Sequence, residues 1–191
     1  MHLVIVQHFK PEFESETAEF FEYFRNQVKL PLDRIHFYNE EVYKKKVSLE
    51  DFLKDIAKIN EPVVLYYGGH GYRDGWQLLE NRLMSYRSLI QILRNRSKPA
   101  IFVNDCCFGM ALKDHICGLQ CRYLLLGLAP KTCEGEGSVV PGIIRCWKER
   151  RLADPRLWVM DKDKRTPFIL EKYIDLLRCG DQLDNFCYPK K

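Results

Sequence analysis

No apolar run in the chain approaches the roughly 18 to 20 residues that a membrane helix requires. The longest, Pro62 to Tyr67 and Tyr123 to Pro130, fall far short, so a spanning helix is not expected. The N-terminus also lacks a charged n-region and an apolar h-region of about 7 to 15 residues, which argues against a secretory leader and for a cytoplasmic protein. Cysteine is missing from the first 105 residues, and the eight that follow stand at 106, 107, 117, 121, 133, 146, 179 and 187. Without a leader they read as reduced thiols rather than a disulfide scaffold. Internal repeats and low-complexity tracts are absent. Clustered Lys/Arg is also lacking: 30 basic against 26 acidic residues give a net charge of only +4, spread along the chain. A nucleic-acid interface needs more concentrated positive charge, so neither nucleic acid nor membrane is an expected partner.

What is present is an ordinary globular balance, 46% hydrophobic and 29% charged over 191 residues. That suits one domain spanning residues 1–191, with a patterned core over 1–152 and a C-terminal segment, 153–191, that carries little interpretable pattern. Strand signals fall at His2 to Gln7, Arg34 to Asn39, Pro62 to Tyr67, Ala100 to Asn104 and Tyr123 to Leu128. Helix signals fall between them: Thr17 to Val28 stopped by Pro31, Ser48 to Ile59 opened by Ser48 with Asp51, Ser85 to about Asn95, Met110 to Leu119, and Gly142 to Leu152. This βα alternation predicts an α/β domain, a mostly parallel sheet with helices on both faces.

Ligands of such sheets gather at the carboxyl ends of the strands. Three strings lie there: Gly68-Gly69-His70-Gly71, then Asp105-Cys106-Cys107-Phe108-Gly109, then the turn Lys131 to Gly137. A thiol becomes a useful nucleophile near neutral pH when an imidazole activates it. His70 and Cys107 follow consecutive buried strands, so they are the expected catalytic dyad. The Gly71 and Cys107 N–H groups are the expected oxyanion hole. Cys106 is the rival nucleophile, but side chains alternate as a strand exits, so only one of the two thiols faces His70.

The strings LYYGGHGYRDG (Leu65 to Gly75) and IFVNDCCFG (Ile101 to Gly109) resemble the caspase-like cysteine peptidases, most closely their metacaspase and paracaspase branch. The resemblance extends loosely from Leu3 to Leu152. It implies a caspase-like three-layer sandwich and assigns His70 and Cys107 as the dyad of a cysteine-type endopeptidase. It also implies an acidic specificity pocket for Arg or Lys. Asp105 falls at the acidic position two residues before the nucleophile, and Glu16 with Glu134 or Glu136 matches the other pocket acids. The expected partner is then a protein or peptide substrate with a basic residue before the scissile bond, and the enzyme a monomer or homodimer. Two alternatives stay open: a catalytically inert caspase-like interaction module, and caspase-type cleavage after Asp.

No cofactor is required by this reading. Metacaspases often depend on calcium, but their calcium carboxylates do not map onto this chain; Asp161 and Asp163 are merely two nearby acids. His115, Cys117 and Cys121, with a remote ligand such as Cys133, have the rudiments of a zinc site without a C-x-x-C knuckle, and helical cysteines more commonly pack as small apolar residues. Short basic runs at Lys44 to Lys46, Arg150 to Arg151 and Lys162 to Arg165 are candidate self-cleavage sites if the enzyme cuts after basic residues.

Overall fold

The computed structural model describes residues 1–8, 13–43, 46–79, 82–116, 118–121, 123–128 and 138–148. Glu134, Glu136, Cys117, Cys133, the segment 153–191 and most of the basic runs lie outside these residues. Five strands form one wholly parallel sheet: β1 (His2–Gln7), β2 (Ile35–Asn39), β3 (Val63–Gly68), β7 (Ala100–Asp105) and β8 (Tyr123–Gly127), in the order β2-β1-β3-β7-β8. Three short strands, β4 (Gly71–Tyr72), β5 (Gly75–Gln77) and β6 (Leu83–Ser85), make a separate antiparallel sheet. The helices are α1 (Glu14–Glu22), α2 (Glu40–Tyr43), α3 (Leu49–Lys58), α4 (Tyr86–Leu93), α5 (Lys113–Ile116) and α6 (Val140–Lys148). Among the described residues no helix is long and apolar enough to cross a membrane.

The central strands are near-continuous apolar runs because both faces are covered. Side-chain alternation deals their residues to two clusters. Leu3, Ile5, Val64, Tyr66, Ile101 and Val103 pack with Phe20 and Phe24 and with Val140 and Ile143 of α6. Val4, Val6, Leu65, Tyr67 and Phe102 pack with Leu53 and Ile56 of α3 and with Tyr86 and Leu89 of α4. The sheet is therefore flanked by an α1/α6 layer and an α3/α4 layer.

Capping chemistry sets the starts of α3 and α4: the Ser48 and Ser85 hydroxyls accept from the Asp51 and Ser88 N–H groups at 3.1 and 3.0 Å. This satisfies donors that have no carbonyl partner in a first helical turn.

Several elements differ from the pattern expected from the sequence. The first helix begins at Glu14 rather than Thr17 and widens into a π-helix over Tyr23–Gln27. It ends where Lys29 turns left-handed at φ 58°, with the Leu30 N–H returning to the Phe24 carbonyl, so the chain has already turned before Pro31. The helix expected over Met110 to Leu119 is a 3-10 turn, Gly109–Leu112, followed by the single turn α5. Met110, Ala111 and Leu112 are all buried in succession, which a one-sided helix surface does not allow. The final helix starts at Val140 rather than Gly142.

One buried cation fastens the lower half of the α3/α4 layer. Arg96 donates from Nη1 to the Ile56 carbonyl (2.8 Å) and from Nη2 to the Glu61 carbonyl (2.7 Å), tying the segment after α4 to the last turn of α3 and to the turn before β3. Arg96→Met keeps the apolar stem but takes the guanidinium donors from the part-buried Glu61 carbonyl and from the Ile56 carbonyl, which retains only the Ile59 N–H (3.1 Å). The expected loss is about 1 to 2 kcal/mol, read as a lower urea midpoint at unchanged m-value.

Candidate active site

The chain places β2 on one side of β1 and then returns to place β3 on the other, so the sheet has a topological switch point between β1 and β3. A crevice opens at the carboxyl ends of strands at such a point. Here it is a cavity of about 350 Å³ whose lining includes Phe13 and Glu16 after β1, His70 after β3, Asp105 to Cys107 at the end of β7, and Leu128 and Ser138 after β8. His70, Cys107, Asp105 and Glu16, named from sequence alone, are thus brought to one cavity.

Register sets His70 and Cys107 at matching positions along the chain. Gly68 is paired with Asp105 across β3 and β7, so His70 and Cys107 each stand two residues beyond the same rung. Main-chain hydrogen bonds lace the three strand ends together: His8 N–H to the Gly68 carbonyl (2.9 Å) and Gly69 N–H to the Asp105 carbonyl (3.3 Å). The His70 carbonyl accepts from the Gln77 N–H (3.0 Å), and the Tyr67 hydroxyl lies 2.7 Å from it. Tyr67 is itself stacked on Trp76 with ring centroids 4.6 Å apart, so the histidine backbone is held by the small second sheet. Two rings stand edge-on to the imidazole, His8 with its centroid at 5.2 Å and Phe13 at 5.0 Å.

Gly71 follows His70 at a very close approach. A Cβ there would lie 2.2 Å from the Cys107 carbonyl oxygen, so only glycine lets the two loops touch. The Gln77 N–H to His70 carbonyl bond makes His70 and Gln77 a hydrogen-bonded pair of the hairpin. Gly71, paired with Trp76, is then at a non-hydrogen-bonded position, and ladder alternation directs its N–H away from β5.

Cys107 is partly exposed, whereas Cys106 is buried. Burial pushes the Cys106 thiol well above the ordinary range, with the Asp105 charge adding to the effect, so it is a poor source of thiolate. Cys106 points into the α3/α4 layer with Tyr67 and Tyr86. The chain then reverses at Phe108, whose φ of 53° is left-handed, a conformation that is costly for a bulky residue. Asn104, fully buried, holds this reversal: its Nδ2 donates to the Gly109 carbonyl (2.8 Å), and its Oδ1 accepts from Trp76 Nε1 (3.2 Å). The result is a braced elbow with Cys107 beside its tip.

Asp105 points the other way, into the α1/α6 layer. Its Oδ1 accepts from the Val139 N–H (2.9 Å), and its Oδ2 accepts from the Tyr66 hydroxyl (3.1 Å) and from the Ser138 hydroxyl. Burial nonetheless raises its pKa to about 6; the three donors oppose that rise, and the charge of Glu16 reinforces it. Two acids thus share the cavity, one deep and one in the first turn of α1. Tyr66 is positioned by α1, its ring stacked on Phe20 at 4.7 Å. Gly68 leaves room for its hydroxyl, which a Cβ would approach to 2.7 Å.

Sequence reasoning missed Tyr66, Ser138, Phe13, His8 and Asn104. Tyr66 and Asn104 read simply as members of apolar strands, and Ser138 follows a stretch with no periodic signal. No group of His, Cys, Asp and Glu suited to a metal ion occurs among the described residues. Of the zinc candidates described, Cys121 is buried beside Arg96, and His115 stands near the Tyr86 ring at 6.2 Å. Compared with protein-family models the chain matches none, and compared with curated proteins it again matches none.

Proposed function

We propose that the protein is a cysteine endopeptidase of the caspase, metacaspase and paracaspase type, cleaving after Arg or Lys by means of a Cys107–His70 dyad. The observation that carries this is the cavity itself: a partly exposed thiol and an imidazole stand at equivalent positions beyond adjacent strands, beside a pocket with two acids in its lining. A basic side chain entering the pocket meets Asp105 and Glu16, and charge-assisted bonds then fix its carbonyl over Cys107. The proton of the Cys107 thiol passes to His70, and Sγ attacks the carbonyl carbon. The Gly71 and Cys107 N–H groups receive the developing oxyanion. As the C–N bond breaks, His70 gives its proton to the leaving amine, and a thioester remains on Cys107. Water, deprotonated by His70, hydrolyses the thioester, releasing the carboxylic acid and restoring the thiol. Such thiol chemistry suits a reducing, cytoplasmic setting.

The test is a matched peptide set differing only in Arg, Lys or Asp before the scissile bond. Arg is expected to give the highest kcat/KM, Lys less because an ammonium lacks the planar fork, and Asp none. A preference for Asp would overturn the assignment of the pocket.

A further inference from the structure

Strand alternation sends Asp105 and Cys106 to opposite faces of the sheet. Asp105, Tyr66 and Ser138 form the cavity wall on the α1/α6 side. Phe108, directly after Cys107, packs instead with the α3/α4 layer. Over its ring lies Arg73, from the two-residue turn between β4 and β5, with its guanidinium carbon 5.8 Å from the ring centroid. Arg73 is exposed, and among the described residues it forms no ion pair, not even with its turn neighbour Asp74.

We propose that Arg73, carried on the Phe108 ring, selects an acidic side chain in the first two residues after the scissile bond. The proposal rests on the peptidase reading above. A peptide whose basic side chain fills the α1/α6-side cavity, with its carbonyl at Cys107, must send its leaving strand to the opposite side of the thiol. That side is the β4–β5 hairpin. Its turn begins two residues after Gly71, which touches the Cys107 backbone. The cation–π contact with Phe108 places the guanidinium without an ion pair among the described residues, which leaves its N–H donors for a carboxylate. The enzyme would then read opposite charges on the two sides of one bond: acids for the residue before it, a cation for those after it.

The test uses the full chain and peptides with Arg before the scissile bond and Asp, Ala or Lys at the two following positions. An exposed ion pair is worth a factor of about two to five, and repulsion of Lys adds a similar factor. The wild-type Asp-to-Lys ratio of kcat/KM is therefore expected to be about ten at low salt and to shrink as salt rises. It should fall to about one in Arg73→Ala and invert in Arg73→Glu. Because each ratio is taken within one variant, a general loss of efficiency cancels. A wild-type ratio near one, or one that Arg73→Glu leaves unchanged, overturns the proposal alone. If the wild type cleaves none of the Arg peptides, the peptidase reading fails and the proposal falls with it.

Discussion

Cys107→Ala is expected to lower kcat/KM on an Arg peptide by at least about 10⁴-fold and to abolish covalent labelling by an Arg-bearing thiol-directed reagent. Cys106→Ala is expected to retain both. The two thiols are adjacent in sequence but lie in different media. Cys106 is packed against Tyr67 and Tyr86 with its ionisation suppressed by burial, while Cys107 lies partly open beside the elbow braced by Asn104. Truncating Cys106 removes one buried sulfur and is expected to cost about 1 to 2 kcal/mol of stability with little effect on the chemical step. Mass spectrometry of the labelled protein checks the assignment directly, since the adduct must sit on Cys107 in both the wild type and Cys106→Ala. An adduct on Cys106 would sink the choice of nucleophile.

Asp105→Asn is expected to separate activity from stability. Removing the charge that faces a desolvated guanidinium costs about 2 to 5 kcal/mol of binding, which corresponds to a roughly thirty-fold to several-thousand-fold loss of kcat/KM on Arg peptides. The fold responds in the opposite sense. The folded-state pKa of Asp105, about 6, lies above the ordinary 3.8, so its contribution to stability is fully present below about pH 3.8 and lost as pH rises through about 6. At pH 7.5 the wild type carries an ionised, buried carboxylate at a penalty of about 3 kcal/mol that the amide does not share. The amide's Nδ2 must in turn be accommodated by the Tyr66 and Ser138 hydroxyls, so a gain of about 1 to 2 kcal/mol is expected. Urea denaturation of both proteins from pH 4 to pH 7.5 checks this, and the stability difference should widen in favour of Asp105→Asn with rising pH. A variant that loses stability as well as activity at pH 7.5 would mean that the carboxylate serves the fold.

The sheet was legible because its strands are buried on both faces and therefore appear as compact apolar runs. The ends of β3 and β7 could be placed within a residue, and the strand-end rule pointed to His70, Cys107 and Asp105. The small β4–β5–β6 sheet was not legible, since strands of two or three residues carry no periodic signal. Helical structure after Cys107 is legible from Met110 onward, but not that its first part, Gly109–Leu112, is 3-10 and that the α-helical part stops at Ile116. The Asn104 side chain braces its start by bonding to the Gly109 carbonyl, a contact that no local pattern encodes. The same limit applies to Tyr66 and Ser138: their hydroxyls meet Asp105 from 39 and 33 residues away in sequence, and only tertiary packing brings them there.

The strand order has a consequence for biosynthesis. The cavity draws its walls from the ends of four parallel strands, so its parts, from Phe13 to Ser138, emerge from the ribosome far apart in time. Parallel pairing across crossovers is non-local and slow to form. Until the segment carrying Ser138 and Val139 docks, Asp105 lacks two of its three hydrogen-bond donors, and that wall of the cavity is missing. A growing chain therefore presents Cys107 before the Ser138 side of the cavity is in place. Under the proposed function, the specificity pocket would be complete only once that segment has docked, so the order in which the fold assembles would set when the nascent chain can first cut.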